Sequence, residues 1–173
     1  CRLTGMQNVD GSLFYLDPAR DGAMSCGWIF TDNKWYYASP SGALANGWQL
    51  IGGQWYWFDS LDGCSMVTGR RVIDGHPYLL GTYGLINGWG LDNGLWYWGS
   101  NGEVLTGWLQ TGNNWYWLDP ANDGAMSRGI VSVGSSRYYL SDSGAMAVGW
   151  AFDGTDWYYA DGSGALASGW LEL

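Results

Sequence analysis

Residues Gly107–Arg128 read GWLQTGNNWYWLDPANDGAMSR. Gly112-Asn113 stands between two aromatic runs, and both residue types tolerate the positive φ of a two-residue hairpin turn. Counting outward from that turn sets Thr111 opposite Asn114, Gln110 opposite Trp115, Leu109 opposite Tyr116 and Trp108 opposite Trp117. Side chains alternate across a strand, so Trp108, Trp115 and Trp117 share one face of the ribbon and Tyr116 takes the other. The unit is a hairpin with three indoles on one side.

The rest of the chain repeats it. Units open at Gly5, Gly27, Gly47, Gly69, Gly88, Gly107, Gly129 and Gly149, with a ninth begun at Gly169 and ending at Leu173, so the units run 19–22 residues. The spacing from the residue after the opening glycine to the first residue of the triplet is seven in all eight complete units, so length varies only in the connection to the next hairpin. Of the 14 tryptophans, six follow the opening glycine, five begin the triplet and three end it. The fourth unit (Arg70, Pro77-Tyr78-Leu79) and the seventh (Ile130, Arg137-Tyr138-Tyr139) are degenerate, and the first carries Met6 and Leu13-Phe14-Tyr15. After each triplet a glycine precedes an apolar residue suited to plug the seam between hairpins: Met24, Leu44, Met66, Leu105, Met126, Met146 and Leu166, with Gly84 before Ile86. A period of this length means a solenoid or array. A lone hairpin is barely stable in water, whereas stacked hairpins bury a continuous core. The expected fold is all-β, a solenoid of about eight stacked β-hairpins forming one array over residues 1–173.

Composition agrees. There are 29 Gly, 14 Trp and 12 Tyr in 173 residues, and only 13% of residues are charged. The net charge of −9 argues against nucleic acid and anionic membranes as direct partners and suits a cationic or neutral ligand. No apolar run approaches the roughly 18 residues of a membrane helix, so no membrane insertion is expected. The chain opens on Cys1 without a leader pattern, as a mature terminus or an excised fragment would. Cys1, Cys26 and Cys64 fit no metal-ligand spacing and allow one intrachain bridge at most.

GWIFTDNKWYYASPSGALAN and GWAFDGTDWYYADGSGALAS resemble the choline-binding repeats, also called cell-wall-binding repeats, of Gram-positive surface proteins. The resemblance covers essentially Gly5 to Leu173. It implies a secreted, cell-wall-associated module that holds choline-decorated teichoic acid, or another cell-wall polymer, in aromatic cages between consecutive hairpins. In the family a cage takes the opening Trp and first triplet residue of one hairpin, the third triplet residue of the next, and a nearby Met. Carried across, Trp28 and Trp35 would meet Trp57 and Met66; Trp89 and Trp96 would meet Trp117 and Met126; Trp108 and Trp115 would meet Tyr139 and Met146. Trp48 and Trp55 would find only Leu79, a two-walled site. Met6 with Leu13, Arg70 with Pro77, and Ile130 with Arg137 would form no cage, and Trp150 and Trp157 would need a partner beyond the end of the eighth unit. Related repeats bind glucans, so a carbohydrate-binding module is the alternative. A structural adhesin stalk with every aromatic buried is a third.

The cage chemistry is sound. Each ring face attracts a quaternary ammonium by roughly 0.5–2 kcal/mol, and several weak sites on one polymer bind tightly through effective concentration. Other candidates read as turns. His76 is the only histidine and sits beside Pro77 in a degenerate unit. The pairs Asp17/Asp21, Asp59/Asp62 and Asp119/Asp123 could hold Ca²⁺, but Asp favours turns through its own hydrogen bonds, and that reading is preferred. No Ser-His-Asp set, Cys-His pair, zinc spacing or phosphate loop is present, so neither catalysis nor a cofactor or metal is expected. The sequence leaves the oligomeric state and any attached domain open.

Overall fold

A computed structural model describes residues 2–168. It divides into two compact units, Cys1–Ile86 and Asn87–Leu173. The truncated ninth repeat, with Trp170, and any bridge to Cys1 lie outside the described residues. No helix of the described residues is long and apolar enough to cross a membrane.

The first unit holds four antiparallel hairpins: Gly5–Val9 with Ser12–Asp17, Gly27–Thr31 with Lys34–Ala38, Gly47–Ile51 with Gln54–Asp59, and Gly69–Ile73 with His76–Gly81. The second holds four more: Gly88–Asp92 with Leu95–Ser100, Gly107–Thr111 with Asn114–Asp119, Gly129–Val133 with Ser136–Leu140, and Gly149–Phe152 with Trp157–Ala160. The expected register is found. Trp108 pairs with Trp117 and Gln110 with Trp115, and the same offsets recur as Trp28 with Tyr37, Trp48 with Trp57 and Trp89 with Trp98. The turns have the chemistry that register demands. At Asp32-Asn33 both central residues lie at positive φ, 51° and 59°, and at Gly52-Gly53 they lie at 60° and 83°, the left-handed pair that a tight hairpin turn requires. His76 is not in the turn; it begins its strand, opposite Ile73.

Hairpins stack face to back. The face of the first hairpin carrying Met6, Leu13 and Tyr15 packs on the other face of the second, where Ile29, Tyr36 and Ala38 join Leu44 and Cys64 in a buried cluster. At three seams the connecting segment adds a backbone bond to the preceding hairpin: the Leu44 amide donates to the Leu13 carbonyl, the Met146 amide to that of Trp115 and the Leu166 amide to that of Arg137. Each connection also folds back on its own hairpin. There Met24, Met66 and Met126 sit opposite Leu16, Phe58 and Leu118. In the fourth and fifth repeats this place belongs to Leu85 and Val104, not to Ile86 and Leu105, which are one residue further on. Before Met66 the left-handed position two residues upstream is Cys64, with φ 67°, where Gly22, Gly42, Gly102, Gly124, Gly144 and Gly164 stand in six other repeats.

The variable connection length has a physical origin. The first, third and sixth repeats, the three of 22 residues, insert a short 3-10 turn at Pro18–Arg20, Ser60–Asp62 and Pro120–Asn122. Asp17, Asp59 and Asp119 cap these turns by accepting the amides of Ala19, Leu61 and Ala121. Asp21 and Asp123 close two of them at positive φ. The acid pairs are therefore turn residues. Asp62 instead accepts from Lys34 and Ser65, which holds its carboxyl below the usual carboxylate range and raises the Lys34 ammonium.

Candidate functional site

The repeated face places a set of rings at each seam. In the second hairpin the Trp28 indole stands 6.2 Å from Trp35 with their planes at 87°, and 5.2 Å from Tyr37. The next hairpin sends Tyr56 to within 4.9 Å of Trp28, at 68°. The third hairpin repeats this: Trp48 meets Trp55 at 6.4 Å and 90°, Trp57 at 5.3 Å, and Tyr78 of the following hairpin at 4.9 Å. In the second unit Trp89 meets Trp98 at 5.3 Å and Tyr116 at 5.0 Å. Trp108 meets Trp115 at 6.4 Å, Trp117 at 5.2 Å and Tyr138 at 4.8 Å. Each set is a corner of steeply inclined rings, at 61–90° to one another, and the outer wall stays open: Trp35 and Trp115 are each 39% exposed.

The third wall differs from the one expected. The ring that closes on Trp28 from the next hairpin is Tyr56, while Trp57 lies against Trp48 of its own hairpin. Trp117 likewise belongs to the Trp108 set, and Tyr139 stacks on Tyr158, 6.3 Å away at 12°. The reason is strand alternation. The third triplet residue is opposite the opening Trp and shares its face, so it cannot also face the preceding hairpin. The residue that does must come from the other face, and that is the middle tyrosine. At Trp48 and Trp55, expected to form a two-walled site, the ring that arrives from the next hairpin is Tyr78. Leu79 is fully buried opposite Arg70.

In the second unit two methionines line clefts together with the indoles. A 240 Å³ cleft is lined by Trp89, Trp96, Tyr116 and Met126, with Arg128 and Ser143 at its edge. A 360 Å³ cleft is lined by Trp108, Trp115, Tyr138 and Met146, with Val148 at the corresponding edge. Met66, in the first unit, is half-buried on the short strand paired with Phe58, whose ring lies 6.0 Å from Trp28. A Cβ at Gly144 would collide with the Met126 thioether, and Gly144 has φ 82°, so glycine there leaves the methionine its place.

The degenerate repeats form no indole corner. In the first, Met6, Leu13 and Tyr15 fill the seam as core. In the seventh, Ile130 faces Tyr139, which stacks on the middle tyrosine of the eighth hairpin and donates its hydroxyl to the Phe152 carbonyl at 3.2 Å. Trp150 and Trp157 stand 6.5 Å apart at 80°, half or more exposed, and the ninth repeat, next in the chain, lies beyond the described residues. Cys26 is a free exposed thiol and Cys64 a free buried one, pushed up in pKa by burial.

Comparison with known proteins agrees with the repeat architecture. A choline-binding repeat model matches residues 45–82, and a cell wall binding repeat model matches residues 27–44, 106–126 and 148–166. The chain belongs to the choline-binding, or cell-wall-binding, repeat family. CbpJ of Streptococcus pneumoniae TIGR4 is 31% identical, matches 95% of this chain and superposes with a TM-score of 0.73. Choline binding protein F of Streptococcus pneumoniae is 33% identical over 96% of this chain, with a TM-score of 0.71. The modular autolysin LytC of Streptococcus pneumoniae is 26% identical over 95% of the chain, with a TM-score of 0.59; the match takes in 42% of LytC. The chain spans 58% of the length of the CbpJ and choline binding protein F structures. A search of curated proteins finds no match.

Proposed function

We propose that the chain is a non-catalytic wall-binding module that grips quaternary ammonium groups of the choline type on a cell-wall polymer, choline-decorated teichoic acid being the expected one. The cages are Trp28, Trp35 and Tyr56; Trp48, Trp55 and Tyr78; Trp89, Trp96, Tyr116 and Met126; and Trp108, Trp115, Tyr138 and Met146. The single observation that carries the reading is the recurrence at four seams of one solvent-open corner in which the ring from the next hairpin is inclined at 68–72° to the opening Trp. Ring faces inclined steeply to one another present their negative quadrupoles to a shared space, where a methylated cation gains from several at once. The net charge of −9 favours that cation further.

Three rings give about millimolar to sub-millimolar affinity per site, which suits a polymer carrying many headgroups better than a free small molecule. Secretion and attachment to the cell wall accompany the same reading, and the task would be to hold the rest of a longer protein on the wall.

Choline is expected to quench or shift tryptophan fluorescence in about the millimolar range, and Trp35→Ala to weaken the response. A flat titration of a folded chain sinks the proposal. The exposed pairs Phe30–Trp35 and Phe152–Trp157, 4.9 and 5.1 Å apart, favour a second reading in which sugar rings stack on these platforms. Retention on dextran without any choline response would select it. The buried stalk finds no support in indoles as exposed as Trp55, at 46%.

A further inference from the structure

The two clefts of the second unit share equivalent rings, a methionine and a serine, and Gly162 lines only the second; their one charged difference is an arginine in one where the other has a valine. Arg128 stands immediately before the opening glycine Gly129 and lines the Trp89, Trp96, Tyr116 cleft. One repeat later the same place holds Val148, before Gly149, and Val148 lines the Trp108, Trp115, Tyr138 cleft. Elsewhere the residue before the opening glycine is Thr4, Cys26, Asn46, Thr68, Asn87, Thr106 or Ser168, so Arg128 is the one cation in the series.

A guanidinium beside a cage for cations is out of keeping with a chain that has 7 basic residues against 16 acidic ones. It would repel a bare ammonium ion. It makes chemical sense if the ligand carries both charges. Arginine is the side chain whose planar fork grips phosphate oxygens in pairs. Arg128 is exposed, and it also lines a second hollow of 330 Å³ on the other side of Trp96 and Met126, with Asn122 and Ser127. The guanidinium therefore borders the aromatic corner and a second open hollow, lined also by Leu95 and Val131, where an anion attached to the caged cation would lie.

We infer that the Arg128 cleft is a zwitterion site, selecting a quaternary amino alcohol that carries a phosphate, while the Val148 cleft binds the ammonium group with no regard to phosphate. This rests on the cage reading and assigns a different ligand preference to two cages of one array. The ammonium is held by Trp89, Trp96 and Tyr116, and the phosphate by Arg128. No bond is made or broken.

The test uses the full chain and the indole N–H resonances of Trp89 and Trp108 as separate reporters, titrated with choline, phosphocholine and inorganic phosphate. Phosphocholine is expected to bind more tightly than choline at Trp89, by about fivefold, the upper range for an exposed ion pair, and equally with choline at Trp108. Arg128→Val should abolish the preference at Trp89, and Val148→Arg should create one at Trp108. Equal ratios at the two clefts, or a ratio that Arg128→Val leaves unchanged, overturn the assignment while leaving the cages standing. So does inorganic phosphate alone moving Trp89 as strongly as phosphocholine, which would make it a plain anion site. Silence of both resonances to choline and phosphocholine overturns the cage reading itself.

Discussion

The first and second hairpins share a backbone and do opposite things with it. Their registers are equivalent, Met6 with Tyr15 and Asn8 with Leu13 in one, Trp28 with Tyr37 and Phe30 with Trp35 in the other. In the first, Met6, Leu13 and Tyr15 pack against the buried cluster of Ile29, Tyr36, Ala38, Leu44 and Cys64. In the second, the same three positions are Trp28, Trp35 and Tyr37, and the two indoles remain 39% exposed. Flexible aliphatic side chains follow the contour of the facing hairpin and close the seam. Indoles meet edge to face instead, at 87° in this pair, and rigid plates at right angles leave a corner unfilled. The hairpin thus fixes where a site falls, and side-chain shape decides whether the seam becomes core or cage.

The hardest way to break that contrast is to remove the floor beneath the open seam. Phe58 is fully buried and 6.0 Å from Trp28. Phe58→Ala is expected to cost about 3–5 kcal/mol, as buried aromatic truncations do, and to lower the urea midpoint accordingly. Next comes an attempt to convert core into cage. Leu13→Trp puts an indole where the first hairpin has a plug, and overpacking should cost about 1–3 kcal/mol without creating a choline site. A variant of undiminished stability with a new choline-responsive tryptophan would show that the backbone alone makes the cage.

A finer cut separates the two candidate third walls. Tyr56→Leu keeps most of the bulk and removes the ring, so choline should weaken at the Trp28 indole resonance by roughly 0.5–2 kcal/mol. Trp57→Leu should exert its effect at Trp48 instead; the reverse pattern would restore the wall expected from the family resemblance.

The smallest effect contrasts turns at opposite ends of the described chain. In the first hairpin the Gly11 amide donates to the neutral Asn8 side chain. In the eighth, Asp153 accepts the amides of Asp156 and Thr155, and Asp161 accepts from the Ser163 hydroxyl and amide and from the Ala165 amide. These bonds hold both carboxyls below their ordinary value of 3.8. A depressed folded-state pKa stabilises the fold above the unfolded value, and that contribution fades as pH falls from 3.8 through the folded value. Amide protection factors, taken relative to the intrinsic rate at each pH, should therefore fall in the eighth hairpin in acid more than at the Asn8 turn, and Asp153→Asn should flatten the response.

Much of the molecule was legible in residue order. The Gly112-Asn113 turn fixed the pairing of Trp108 with Trp117, and the spacing of seven carried the same register to every repeat. The role of the middle tyrosine was half legible. Alternation puts Tyr116 on the face opposite the indoles, yet only the face-to-back stacking reveals that this second face looks onto the preceding cage, bringing Tyr116 to 5.0 Å from Trp89. Arg128 gave no signal as a site residue, because a single base before a glycine reads as a solvated loop position.

The sequence by itself determined the hairpins, their register, their number and the face on which the indoles lie, since turn chemistry and side-chain alternation are local and act within about a dozen residues. Tertiary structure alone decided which ring closes each corner, which seams fill and which stay open, and that Arg128 and Val148 line two clefts with equivalent rings. Those outcomes depend on how one hairpin's face meets the back of the next, a relation between residues some twenty or more positions apart, such as Trp28 and Tyr56, that no local rule encodes.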